Sequence, residues 1–98
     1  MERIEFEYPA AKRHITNRAH VGVVGSGDME VLLEPSQQDG AHVSIATSVN
    51  GFKKSWKAVL DRFFSNFDGA VRIEINDAGA TPGMVLLRLQ QAVEAIRQ

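Results

Sequence analysis

The hydroxyl of Ser26, in the stretch VGVVGSGDMEVLL (residues 21–33), is the side-chain group most open to chemistry in this chain. Its neighbours Gly25 and Gly27 have no Cβ, so they leave the hydroxyl exposed and let another protein approach the backbone closely. A serine hydroxyl is a weak nucleophile unless a base activates it. Two interpretations stay open: a tolerated polar residue at a hairpin tip, or an acceptor that a transferase modifies covalently.

Two families of phosphate-binding loop are rich in glycine, and this stretch fits neither. A dinucleotide-binding fingerprint places G-x-G-x-x-G between a strand and a helix, whereas GSGDMEVLL continues into a strand pattern. A P-loop ends in Gly-Lys followed by Ser or Thr, and that ending is missing here. The stretch therefore predicts a hairpin turn and not a nucleotide site.

Other side chains suited to acid–base or metal chemistry are scattered: His14, His20, His42, Asp61, Asp68 and Asp77. The histidines lack metal-ligand spacing, and none stands in a recognisable motif beside a carboxylate. Asp61 falls on the polar side of a predicted helix, and Asp77 falls at a strand end, where turns favour aspartate. No catalytic residue and no metal site is predicted.

Composition excludes further classes of function. The chain has 98 residues, a net charge of −1 and no cysteine, so it has no disulfide, no thiolate metal site and no thiol nucleophile of its own. It has no secretory signal pattern and no apolar run near the roughly 18 residues of a membrane span. We expect a single cytoplasmic domain over residues 1–98. The basic residues Lys12, Arg13 and Arg18 predict a solvated loop or, alternatively, a local anion contact.

Hydrophobic periodicity predicts the strands and helices that position these residues. Residues 3–8, 19–24, 28–34, 42–48 and 70–76 alternate as strands do, and two stripes at helical spacing run from Phe52 to Phe67 and from Val85 to Ile96. The order β-β-β-β-α-β-α predicts an α+β two-layer sandwich: two helices on a mainly antiparallel five-stranded sheet. The sheet is mixed if strands 42–48 and 70–76 form a parallel crossover.

The helix boundaries have their own signals. Ser48 or Asn50 is a candidate N-cap for the first helix, and Gly69 is a candidate stop. Thr81 followed by Pro82 predicts the start of the second helix, because Thr caps well and Pro suits the first helical position.

Two motifs carry a resemblance to a known family. VVGSGDMEVL and NDAGATPGMVLLRLQQAVE, with TSV before the first helix, resemble the acyl carrier (delta) subunit of bacterial malonate decarboxylase over essentially the whole chain. The chain also resembles, more distantly, the acyl carrier subunit of citrate lyase. The chain departs from the helical phosphopantetheine carriers, because it lacks their Asp-Ser-Leu context and is rich in strands.

The resemblance implies that Ser26 carries 2'-(5''-phosphoribosyl)-3'-dephospho-CoA through a phosphodiester, with Gly25, Gly27 and Asp28 as its turn context. It implies a non-catalytic carrier without a metal, whose acetyl thioester is exchanged for malonyl and regenerated by decarboxylation. The implied partners are acyl transferase (alpha) and carboxy-lyase (beta, gamma) subunits, a prosthetic-group transferase and a malonyl-loading acyltransferase. The net charge of −1 and the lack of a long apolar run predict that neither nucleic acid nor a membrane is a partner. The alternative is a protein-interaction module with an unmodified hairpin tip.

Overall fold

Seven elements follow one another in the predicted order in a computed structural model, which describes residues 1–97. The order β-β-β-β-α-β-α and the α+β class are both confirmed. The elements are β1 (Glu2–Tyr8), β2 (Ala19–Gly22), β3 (Met29–Pro35), β4 (Ala41–Thr47), α1 (Lys53–Phe64), β5 (Val71–Asp77) and α2 (Pro82–Ile96).

The five strands form one sheet with the spatial order β1-β4-β5-β3-β2. Strands β4 and β5 pair in parallel, and the other three pairs are antiparallel. Two parallel neighbours need a crossover connection, and α1 supplies it. The sheet is therefore mixed, which is the alternative that a parallel crossover between strands 42–48 and 70–76 left open.

The core lies between the sheet and the two helices. Alternate residues of the central strands face it, so that Val31 pairs with Ile75 and Val43 with Ile73, all at most 1% exposed. Leu60 of α1 and Leu89 of α2 cover them and are themselves 0% exposed. Burying side chains of this size stabilises a fold by about 1.5 to 3 kcal/mol each. The hydrophobic periodicity of the sequence thus matches the pattern of buried side chains in the structure.

The predicted start of α1 is wrong. Its N-cap position is Phe52, without any side-chain hydrogen bond to the first turn, and neither Ser48 nor Asn50 caps it. The connection from β4 to α1 runs past both residues before the helix begins. Phe52, predicted in the buried stripe, is consequently 52% exposed, because it precedes the first helical turn.

The predicted end of α1 at Gly69 is also wrong, since the helix ends at Phe64. Gly69 instead pairs with Arg13 in an isolated bridge. A Cβ at Gly69 would come within 2.5 Å of the ring of Phe67 and within 2.9 Å of Ile15. This glycine allows close packing between two segments and does not terminate a helix.

The predicted start of α2 is confirmed. Thr81 is the N-cap, its hydroxyl accepts a hydrogen bond of 3.2 Å from the backbone N–H of Met84, and Pro82 is the first helical residue. Neither helix within residues 1–97 has the length and apolar character needed to cross a membrane.

Candidate functional site

The loop of residues 23–28 carries Ser26 between β2 and β3. Strand β2 ends at Gly22, so the predicted strand over 19–24 is two residues too long. Gly22 has a φ of 80°, and a Cβ there would overlap the carbonyl oxygen of Met29. The chain turns out of the sheet at this glycine, which leaves Val23 and Val24 exposed.

The tip of the loop is a hydrogen-bonded turn. The backbone N–H of Asp28 donates to the carbonyl of Gly25 at 2.9 Å, which places Ser26 and Gly27 at the two central positions. Gly27 has a φ of 74°, the left-handed value that the second central residue of a type II turn requires. The hairpin-tip interpretation is therefore correct as a description of the backbone.

The two glycines beside Ser26 have different structural roles. Gly27 needs the conformational freedom of glycine, although a Cβ there would meet no atom within 4 Å. Gly25 does not have a positive φ, and the nearest atom to a Cβ there would be Cγ2 of Val23 at 3.8 Å. The fold tolerates a side chain at position 25. The absence of one leaves room beside Ser26 that the chain itself does not use.

The hydroxyl of Ser26 is exposed and makes no hydrogen bond to any other residue within 1–97. No histidine or carboxylate of these residues contacts it as a base. Within residues 1–97 nothing activates this serine as a nucleophile. It does suit esterification by an external enzyme, because its oxygen is free and its surroundings are small.

Backbone hydrogen bonds fix the turn to the connection between β5 and α2. The N–H of Gly27 donates to the carbonyl of Ala78 at 2.8 Å, and the N–H of Ala78 donates to the carbonyl of Asp28 at 2.9 Å. These bonds extend the pairing of β3 with β5 beyond the ends of both strands. Ser26 therefore projects from a turn with a defined position relative to the sheet.

An ion pair holds the same turn from the side of α2. Arg88 donates from Nε to Oδ1 of Asp28 at 3.0 Å and from Nη2 to Oδ2 at 2.7 Å. Hydrogen bonding by the guanidinium lowers the pKa of Asp28 below its usual value. Sequence reasoning missed Arg88, because an arginine on a helix 60 residues from its partner carries no local signal of the pairing.

The structure does not bring the other candidate residues to Ser26. His20 contacts Glu30 at 2.8 Å, and His14 is exposed. His42 lies between Glu7 and Glu5, and the hydrogen bond with Glu7, more than that with Glu5, raises the pKa of its imidazole. Residues 1–97 contain no group of three or more metal-ligating side chains that could hold an ion.

The aspartates have structural partners. Asp61 accepts hydrogen bonds from Tyr8 and Lys57, both at 2.7 Å. Asp68 pairs with Arg13. Asp77 is only 6% exposed, and it stands at a strand end as predicted. Its carboxylate accepts hydrogen bonds from the hydroxyl of Thr47 and from the N–H groups of the β5–α2 connection.

The basic residues of the 12–18 segment lie at the far end of the sheet from Ser26. Arg13 bridges to Gly69, before the start of β5, whereas the turn of Ser26 adjoins Ala78, after its end. The seven residues of β5 separate the two positions by about 20 Å. Arg18 is near Glu34 at the same far end. An anion attached directly to Ser26 is therefore out of reach of these side chains.

Comparison with known proteins gives consistent matches over nearly the whole chain. The family model described as malonate decarboxylase delta subunit (MdcD) matches residues 16–96. The malonate decarboxylase acyl carrier protein of Pseudomonas syringae pv. tomato is 50% identical over 100 residues, which cover 98% of this chain and 97% of the relative. That of Azotobacter vinelandii is 45% identical over 97 residues, with the same coverage.

A solved structure matches the fold as well as the sequence. One chain in the crystal structure of a Pseudomonas malonate decarboxylase hetero-tetramer in complex with malonate superposes with a TM-score of 0.91 at 47% identity. The match covers 98% of this chain and 99% of that one. The likeness thus extends to the arrangement of every element described above.

Proposed function

The chain belongs to the malonate decarboxylase delta subunit family, and on that premise we propose that it is the acyl carrier subunit whose Ser26 bears the prosthetic group. The group we propose is 2'-(5''-phosphoribosyl)-3'-dephospho-CoA, joined through a phosphodiester to the serine oxygen. Acetyl and malonyl groups would then travel as thioesters on its thiol.

The observation that carries this proposal is the state of the Ser26 hydroxyl. It is exposed and makes no hydrogen bond within residues 1–97, and it projects from a turn that backbone hydrogen bonds fix to the sheet. The missing side chain at Gly25 leaves room for the transferase that would form the ester. A phosphodiester at this oxygen would displace no contact that the fold uses.

The chain's own residues position the group and do not transform it. The prosthetic group supplies the thiol for thioester chemistry, and the chain contains no cysteine. The Asp28–Arg88 pair and the hydrogen bonds to Ala78 hold the attachment point at a defined end of the sheet. Tethering raises the effective concentration of an acyl group at a partner's active site to about the millimolar range for a short flexible link.

The carrier role requires partners that perform the chemistry. We propose acyl transferase (alpha) and carboxy-lyase (beta and gamma) subunits in one cytoplasmic complex, together with a prosthetic-group transferase and a malonyl-loading acyltransferase for maturation. The chain then acts as a single acyl carrier domain without catalytic activity of its own. The similar chain in the Pseudomonas hetero-tetramer supports the multisubunit setting.

The test compares two serine variants in the reconstituted complex. Ser26→Ala removes the proposed attachment oxygen, and Ser48→Ala removes another exposed loop hydroxyl, from the connection that follows β4. We expect Ser26→Ala to abolish malonate decarboxylation, since no thioester can form, while Ser48→Ala retains it. Full activity of the Ser26→Ala complex would instead support the interaction module with an unmodified tip.

A further inference from the structure

A cavity of about 290 Å³ opens beside the loop that anchors Ser26. It lies where the parallel strands β4 and β5 end and the helices α1 and α2 begin. Its apolar walls include Val49, Phe52, Trp56 and Val85. A mostly apolar concave site with few polar groups is the usual form of a small-molecule pocket in a protein.

The cavity and the attachment turn share one connecting segment. Gly79 and Ala80 line the cavity, and Ala78, directly before them, exchanges backbone hydrogen bonds with Gly27 and Asp28. The residue after Ser26 is therefore bonded to the residue before the cavity wall. A flexible arm attached at Ser26 starts next to this cavity.

The two buried polar residues in the cavity wall, Thr47 and Asp77, are already hydrogen-bonded. The buried carboxylate of Asp77 accepts hydrogen bonds of 2.8 Å from Thr47 and 3.1 Å and 3.0 Å from the N–H groups of Gly79 and Ala80. The hydroxyl of Thr47 accepts in turn from the N–H of Val49 at 3.1 Å. These groups need no ligand to satisfy them, so the cavity suits an apolar occupant.

We propose that this cavity is a holding site for the acetyl-thioester end of the arm attached to Ser26. This proposal rests on the proposed function. It adds the place where the chain holds the acyl group between reactions at its partner subunits. A thioester sulfur and methyl group can leave water among Val49, Trp56 and Val85 without losing strong hydrogen bonds, while the carbonyl oxygen stays hydrated at the open mouth of the cavity. The chain would thereby shield the acetyl thioester from hydrolysis.

The cavity should discriminate against a malonyl group. A malonyl carboxylate would lose hydration there and would face the carboxylate of Asp77, which is 6% exposed. The starts of α1 and α2 both adjoin the same space, and each carries a partial positive charge of about half a unit, but solvent screens these charges at termini exposed to water. The full charge of Asp77 is buried and less screened. Loading with malonyl therefore favours release of the arm.

The only tryptophan of the chain, Trp56, lines the cavity and reports occupancy through its fluorescence. The full-length apo chain is titrated with S-acetylpantetheine, S-propionylpantetheine and S-malonylpantetheine. The propionyl compound is neutral and has the three-carbon acyl chain of malonyl without its two carboxylate oxygens, so it is the uncharged control of equal chain length. We expect saturable changes with the two neutral thioesters and about tenfold weaker binding, or none, with malonyl.

Two helix variants locate the binding. Ser55→Phe places a ring in the cavity wall, whereas Ala58→Phe adds the same ring to an exposed position of α1 outside it. Thermal unfolding of both variants confirms that they fold. We expect Ser55→Phe to abolish the response and Ala58→Phe to retain it. No response of the unmodified chain, equal responses of the two variants, or malonyl binding as tightly as propionyl would each overturn the proposal.

The titration uses free thioesters and does not depend on Ser26. Apo chain that binds acetyl thioesters but is never modified at Ser26 contradicts the proposed function, and with it the arm as natural occupant. Chain that is modified at Ser26 but shows no binding contradicts the holding site alone. Intact mass of the same preparations distinguishes these two failures.

Discussion

Replacing each glycine beside Ser26 by alanine should give opposite effects on stability. Gly27→Ala puts a Cβ on a residue with a φ of 74°, where the left-handed backbone costs an alanine about 1 to 2 kcal/mol. Gly25→Ala needs no such conformation and meets only Val23 at 3.8 Å. Restricting the unfolded chain should then stabilise the fold by about 0.4 to 1 kcal/mol.

The free energies of unfolding of the two variants should therefore differ by about 2 kcal/mol, with Gly27→Ala the less stable. Urea denaturation of the full chain measures the difference. A thermal melt should separate the two midpoints by about 8 to 16 °C, since each kcal/mol shifts the midpoint by about 4 to 8 °C. Equal stabilities of the two variants would refute the turn assignment, because they would show that position 27 does not need glycine.

The Gly25→Ala variant also tests the modification of Ser26 separately from the stability of the fold. Gly25→Ala keeps the turn but adds a Cβ to the residue next to Ser26, so the prosthetic-group transferase should esterify this variant more slowly than the unsubstituted chain. A time course of intact mass with purified transferase measures the rate. An unchanged rate for Gly25→Ala would show that the empty space beside Ser26 does not serve the transferase.

Three further predictions concern side-chain contacts elsewhere in the fold. Thr81→Ala should destabilise the fold by about 1 kcal/mol in urea denaturation, because α2 loses its capping hydroxyl. Asp28→Asn should lower stability most above about pH 4; the difference should shrink as acid protonates the carboxyl through the pKa that Arg88 lowers. His42→Gln should lower stability most below about pH 6.5; Glu7 raises the imidazole pKa, so this contribution is lost as the pH rises through that raised value. Stability curves against pH that run parallel to those of the unsubstituted chain would contradict the last two.

The elements of the fold could be predicted because each has a local cause. The alternation at Val71, Ile73 and Ile75 places one face of β5 in the core, and the spacing of Val85 and Leu89 does the same for α2. Boundaries were less secure, since Gly69 has the residue type of a helix stop but serves close packing. The residue type alone does not show whether a glycine ends a helix or allows close packing.

The sequence does not predict those features around Ser26 that depend on contacts between distant segments. The turn itself could be predicted from Gly25, Gly27 and the flanking strand patterns. The pairing of Arg88 with Asp28 and the cavity near Trp56 arise only when α2 packs beside the ends of the parallel strands. No local pattern encodes either, because both join segments far apart in the chain.

The mass of the chain after maturation tests the central claim most directly. The chain is isolated from a host that makes the active complex, its intact mass is measured, and peptide fragmentation locates any added group. We predict one phosphoribosyl-dephospho-CoA on Ser26, no such addition to a Ser26→Ala chain, and full addition to a Ser48→Ala chain. An unmodified Ser26 in a complex that decarboxylates malonate would contradict the account.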